Sequence, residues 1–282
     1  MIGLTIAYAL LLSLSATVDS HPSDGPEAAT TISVATEGPN YWFSFGASSC
    51  QTGFNSTDTL PNEANPIGNP AFPGNTYSGG INWVGYLTSI YNNSVIFTYN
   101  YAIGGATINR TLVDPGPGRK TLTEQVDEFL SEAGTEPSAT PWTSENALFS
   151  VYMGINDLQE TYDLSGDRGA FSDLLLESYF AQAQRLYDIG ARNFLLFNIA
   201  PTDRTPLMLN RSKSARATER AVIIEHNKRL LTRVNDFRNS TNSTLVAVYD
   251  IWTHFETMLN SPQTYGFKDA TTFGNGSDIF WS

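Results

Sequence analysis

From residue 41 onward, short and almost uniformly apolar runs alternate with longer stretches in which apolar residues recur every three or four positions. The runs are Tyr41 to Phe45, Val95 to Tyr99, Leu148 to Met153, Phe194 to Asn198 and Leu245 to Tyr249. They lack regular polar alternation, as strands buried on both faces do. Between them, "TLTEQVDEFLSEAG" has a helical period and ends on a glycine, and Asp173 to Ile189 is similar, closed by Gly190. Ser214 to Phe237 and "IWTHFETML" are two further predicted helices. Strands alternating with helices pair in parallel through right-handed crossovers. The pattern therefore predicts a three-layer α/β/α domain of flavodoxin-like type, with a parallel sheet of about five strands. Residues 55 to 82, rich in Asn, Pro and Gly, have no period and read as one long loop of the kind that shapes binding sites. There is no internal repeat.

The N-terminus reads differently. "MIGLTIAYALLLSLSATVDS" is too short an apolar run for a membrane span and ends among small residues, as the core of a signal peptide does. Cleavage after Ser20 is expected, followed by a flexible leader over residues 21 to 40 and one domain from 41 to 282. Seven N-x-S/T sequons, at Asn55, Asn92, Asn109, Asn210, Asn239, Asn242 and Asn275, fit a secreted, extracellular glycoprotein. Cys50 is the only cysteine, so no intrachain disulfide can form, and its apolar setting predicts a buried, inert thiol. A hydrophobic share of 41% with 16% charged residues marks a globular chain. A net charge of −12 argues against nucleic acid and anionic membranes, because phosphate binding needs a basic face.

The chemistry collects at strand ends. In a parallel sheet, ligands bind beyond the carboxyl ends of the strands. The first run is followed by Gly46-Ala47-Ser48, the second by "NYAIGGATIN" with Gly104 and Gly105, the third by Gly154-Ile155-Asn156-Asp157. A serine, a glycine N–H and an asparagine amide brought to one edge would supply a nucleophile and oxyanion donors for acyl transfer. Each has a plainer alternative: Ser48 as a turn serine, Gly105 as a backbone requirement, Asn156 as a turn or helix cap. Asp157 reads as a local cap rather than a catalytic acid.

"FGASSCQTGF", "NYAIGGAT", "GIND", "APTDRTP" (200 to 206) and "YGF" (265 to 267) occur in order. Together they resemble the SGNH (GDSL-type) hydrolases, most closely the fungal acetylesterases of carbohydrate esterase family sixteen. The likeness runs from about residue 41 to the last residue. It implies an SGNH hydrolase fold and a serine esterase acting on a small-molecule or oligosaccharide ester, chiefly acetyl esters on hemicellulose-derived oligosaccharides. A non-catalytic carbohydrate-binding relic and a lipase for longer acyl esters stand as alternatives. Ser48 would be the nucleophile and donate its N–H to the oxyanion, joined by the N–H of Gly105 and the side chain of Asn156. The "NYA" register selects Gly105 over Gly104. No metal or organic cofactor is implied, and a monomer is expected.

Two departures from the family pattern matter. Ala47 stands where the family has an aspartate. The family's Asp-x-x-His block and final helix follow soon after a Phe-Trp pair, whereas this sequence reaches "DIFWS" at 278 to 282. The expectation is a chain cut short, with the catalytic Asp and His and the C-terminal helix outside it. Of the histidines present, His21 falls in the leader, and His226 is expected on the wet side of its helix. His254, four residues after Asp250, offers a displaced pair that no family pattern supports. Trp42, Trp83 and Tyr86 are candidates for stacking on sugar, though core positions suit them better.

Overall fold

The computed structural model of the chain describes residues 38–135, 138–274 and 278–281. The expected signal peptide, most of the leader and the Asn275 sequon lie outside the described residues. Five strands, β1 (Asn40–Gly46), β2 (Ile96–Asn100), β3 (Ala147–Tyr152), β4 (Asn193–Phe197) and β5 (Leu245–Tyr249), form one sheet in the order β2-β1-β3-β4-β5. All four pairings are parallel. Each predicted strand is present within a residue of its expected bounds. β1 takes in Asn40, the last residue of the expected leader, because its N–H donates to the Val95 carbonyl at 2.8 Å.

The helices are α1 (Trp83–Ser89), α2 (Leu122–Glu132), α3 (Ile155–Thr161), α4 (Arg168–Asp188), α5 (Pro206–Leu209), α6 (Lys213–Ser240) and α7 (Ile251–Asn260). The sequence pattern starts α4 five residues too late. Asp167 accepts the N–H of Ala170 at 3.0 Å and so begins the helix at a stretch with little apolar period. The short helices α1, α3 and α5 have no room for a period to declare itself. α1 is capped by Asn82, whose Oδ1 accepts the N–H of Gly85 at 3.1 Å.

Alternation in β1 divides the core. Tyr41, Phe43 and Phe45 face one way and pack with Phe129 of α2, Leu175, Leu176 and Tyr179 of α4, and Ile223, Leu230 and Val234 of α6. Trp42 faces the other way and packs with Val84, Tyr152, Phe197 and Ile251 between the sheet and helices α1 and α7. Three layers follow, as predicted. At the amino ends of the strands the second face carries an apolar cavity of about 250 Å³ lined by Trp42, Ile96, Leu148, Leu195 and Ala247. It opens at the end of the sheet remote from Ser48.

Beyond α7, β6 (Asp269–Phe273) and β7 (Ile279–Trp281) make a separate two-stranded ladder. Phe280 packs edge-on against Phe255 of α7 and against Phe267, at 5.1 Å each between centroids. The Phe-Trp pair is thereby fixed to a helix that begins at the carboxyl end of β5.

Candidate active site

Three turns leave the carboxyl ends of the adjacent strands β2, β1 and β3, and hydrogen bonds stitch them together. After β1 the chain bends sharply, the Cys50 N–H donating to the Ala47 carbonyl at 3.0 Å. Ser48 is half-buried on this bend. The Ile103 N–H donates to the Gly46 carbonyl at 3.2 Å, and the Gly104 N–H donates to Gln51 Oε1 at 2.6 Å. On the other flank, Asn156 Nδ2 donates to the Ala106 carbonyl at 2.6 Å. Ser48, Gly105 and Asn156 are thus on one edge, in touching loops.

The register between the two glycines has a physical marker. The Gly104 N–H is already committed to Gln51. The N–H groups of Gly105 and Ser48 donate to no other described residue. Gly105 has φ +77°, a left-handed conformation that favours glycine. An amide nitrogen has two hydrogens, and Asn156 spends one on Ala106. The loops at this edge therefore carry a serine and uncommitted N–H donors, the kinds of group that stabilise an oxyanion where they converge.

Ala47 is buried in the core, and no carboxylate braces the bend at that position. A different group does the bracing. Gln125, fully buried on α2, accepts the Gly46 N–H and donates to the Gly46 carbonyl, at 3.0 Å each. Both backbone polar groups of Gly46, the residue before Ala47, are thereby held. The second face also contributes, with Asn82 and Asn100 donating to the Cys50 carbonyl at 3.1 and 2.7 Å. Gln125 and Gln51 were not legible as site residues. Gln125's only signal is a polar residue on the apolar stripe of its helix. Cys50 is buried, as expected, and burial pushes its thiol up to about 12.

Two expectations need correction, on His226 and Asp157, while the tryptophan candidates for sugar stacking take the core positions that suited them better. His226 is not on the wet side of α6. It is buried, with Nδ1 3.3 Å from Ser172 Oγ on α4 and Nε2 against Gly154. Burial depresses its pKa to about 4. It shares the inward stripe of Ile223, Leu230, Val234 and Phe237, whose three-and-four spacing is masked by the charged residues around it. Asp157 is not a local cap. Its buried carboxylate accepts the Ile108 N–H through both oxygens, at 3.0 and 3.2 Å, and so pins the β2 turn to the β3 turn. Burial raises its pKa to about 7, opposed by that N–H. Among the sugar-stacking candidates, Trp42 is buried with its indole N–H on Ser150 Oγ, and Tyr86 stacks on Tyr91. Trp83 packs between Trp42 and Phe197.

Asp250 and His254 do not form a pair through their side chains. Asp250 caps α7 and accepts from Asn198 Nδ2 at 2.6 Å, while the His254 ring stacks on Tyr249 at 4.9 Å. The "APTDRTP" turn is structural. Thr202 donates to the buried Glu219 at 2.8 Å, Arg204 to the Leu259 carbonyl at 2.9 Å, and Arg220 bridges Asp203 and Glu256. These bonds clamp α6 and α7 to the carboxyl end of β4. Among the described residues, no group of three or more His, Cys, Asp or Glu side chains could hold a metal ion. No described helix is long and apolar enough to cross a membrane.

A parallel α/β/α sheet with a serine bend at its carboxyl edge is an arrangement that acyl-transferring hydrolases can use. More narrowly, the chain belongs to the GDSL-like Lipase/Acylhydrolase family, whose model matches residues 43–281. An acetylesterase of Thermothelomyces thermophilus is 38% identical over 261 residues, covering 91% of this chain and 86% of that protein. A thermolabile hemolysin of Vibrio parahaemolyticus is 26% identical over 197 residues, 69% of this chain but 42% of the hemolysin. An acetyl-xylooligosaccharide esterase from Geobacillus stearothermophilus superposes with a TM-score of 0.44 at 16% identity, covering 79% of this chain and 80% of that one.

Proposed function

We propose that this protein is a secreted serine esterase that removes acetyl groups from hemicellulose-derived oligosaccharides. One observation carries the mechanism: the Ser48 and Gly105 N–H groups are uncommitted beside Asn156 at a single sheet edge. In this account the Ser48 hydroxyl attacks the ester carbonyl. The oxyanion is met by the N–H groups of Ser48 and Gly105 and by the free hydrogen of Asn156. The sugar hydroxyl leaves with a proton, and water then releases acetate from the acetyl-serine. Similarity to the Thermothelomyces acetylesterase supports the acetyl ester as substrate.

The attack needs a base to take the serine proton. His226 is committed to Ser172, and His254 is stacked on Tyr249. We therefore propose that the base is the histidine of an Asp-x-x-His segment of the family's kind, a role that neither of these two histidines fills. The packing of Phe280 on α7 supports this, since it holds the Phe-Trp pair, which precedes that segment in the family pattern, near the carboxyl edge. Residues 1–282 alone should then turn over p-nitrophenyl acetate on the order of 10⁶-fold more slowly than the same chain extended with such a segment. Equal turnover by the two forms would overturn the assignment and promote His254. The buried Ala47 favours a second reading, a carbohydrate-binding protein without catalysis. An extended chain that folds, binds xylo-oligosaccharide and releases no acetate would establish that reading instead.

A further inference from the structure

Tyr77 lies in the long loop before α1 and leaves 65% of its surface exposed. Three tyrosines at the ends of β2 and β3 behave otherwise: Tyr99, Tyr101 and Tyr152 are all buried. Yet Tyr77 is not a free surface side chain. Its ring rests on Gly104, so closely that a Cβ there would overlap the ring. The loop is also tied to the nucleophile bend. The Asn75 N–H donates to the Thr52 carbonyl at 2.7 Å, Gln51 Nε2 to the Asn75 carbonyl at 3.3 Å, and Thr76 Oγ1 to the Gly80 carbonyl at 2.6 Å. Gln51 is the residue that holds the Gly104 N–H. One side chain therefore positions both the glycine step and the base of the aromatic.

The opposite flank is built as tightly. A Cβ on Gly105 would come within 2.6 Å of Arg119 Nε, and Arg119 Nη1 donates to the Pro115 carbonyl at 2.7 Å. The Gly104-Gly105 step thus runs between an exposed phenol ring and an exposed guanidinium. An aliphatic acyl chain is best held in an enclosed apolar groove, where it leaves water on all sides. A single open aromatic face beside hydrogen-bond donors suits a different ligand: a ring with one apolar C–H face and a rim of hydroxyls.

We propose that Tyr77 is the stacking platform for a neutral pyranose ring, holding the sugar of the ester beside the Gly104-Gly105 step while Arg119 donates to its hydroxyls. The proposal rests on the esterase reading of Ser48 for its purpose, but its test needs no turnover. Unacetylated xylotetraose is titrated into the full chain and followed by NMR, with Tyr77→Ala and Tyr77→Phe alongside. The sugar's axial C–H protons should shift upfield, as protons over an aromatic face do. Tyr77→Ala should weaken binding about tenfold, the upper end of one aromatic contact, and Tyr77→Phe should stay within about twofold. The exposed ring makes unfolding of either variant an unexpected outcome, which the amide spectrum checks directly.

Equal affinity in all three proteins, or no binding by the native chain, overturns the platform whatever Ser48 does. So does a Tyr77→Phe variant as weak as Tyr77→Ala, which would make the hydroxyl the recognised group. Tyr77-dependent binding of decanoate without binding of xylotetraose would overturn it in favour of an acyl site. Acetate release is scored separately, so failure of the esterase reading and failure of the platform are told apart.

Discussion

Replacing His226 by glutamine should change how the protein's stability depends on pH. His226 is buried beside Ser172 and Gly154, and burial holds its pKa at about 4, against an ordinary value of 6.5. Between those values the unfolded chain binds a proton that the native protein refuses. Stability from this residue is therefore complete above pH 6.5 and lost as pH falls toward 4. At 1.36 kcal/mol per unit, the displacement amounts to about 3 kcal/mol. Asp157 works in the opposite sense. Its native pKa of about 7 keeps its proton bound after the unfolded chain has released it, so its contribution declines as pH rises from about 4 to 7. The two slopes overlap, and a stability curve of the native protein alone would conceal both. The difference between the native and His226→Gln curves isolates the histidine. Urea unfolding from pH 4 to 8 should show the native protein's advantage over the variant shrinking by about 3 kcal/mol from pH 7 to pH 4. Parallel curves would refute the reasoning, because they would mean that the histidine titrates alike in both states.

Two further outcomes are expected. Gln125→Leu removes the glutamine's two hydrogen bonds to Gly46, leaving its buried N–H unpaired while its carbonyl keeps the Ile103 N–H; chemical denaturation should show a loss of about 1–3 kcal/mol, and a loss below about 0.5 would deny Gln125 its bracing role. On expression through a secretory pathway, glycopeptide mapping should find glycans at the exposed Asn55, Asn210 and Asn242 and none at Asn109, whose amide donates to Ser178 Oγ at 2.9 Å; occupancy at Asn109 would contradict that bond.

The parts of this protein that were legible in its sequence are those where each residue's neighbours are set by local periodicity. The five central strands declared themselves because both of their faces are covered, so the apolar run has no gap. The first three strand ends could be placed on one edge because parallel pairing leaves no other arrangement. Tyr77, Gln51 and Gln125 were hidden for the opposite reason. Their roles come from contacts with Gly104 and Gly46, 27 to 79 positions away, and neither a loop residue nor a lone glutamine shows such partners in a pattern. His226 was misread because the lysines, arginines and glutamates of α6 dilute the stripe on which it sits. Asp157 looked like a local cap because it stands near a helix start, yet its partner is 49 residues back.

The central claim is that Ser48 carries the acyl group. The direct measurement is an acid quench of the chain extended with an Asp-x-x-His segment, taken during hydrolysis of p-nitrophenyl acetate and followed by peptide mass mapping. The account predicts an acetyl group on Ser48, in the peptide spanning residues 41–55, absent from the Ser48→Ala protein and more abundant when Ala47→Asp restores the carboxylate beside it. Acetate release that proceeds with no acetyl on that peptide, or that survives Ser48→Ala, would contradict it.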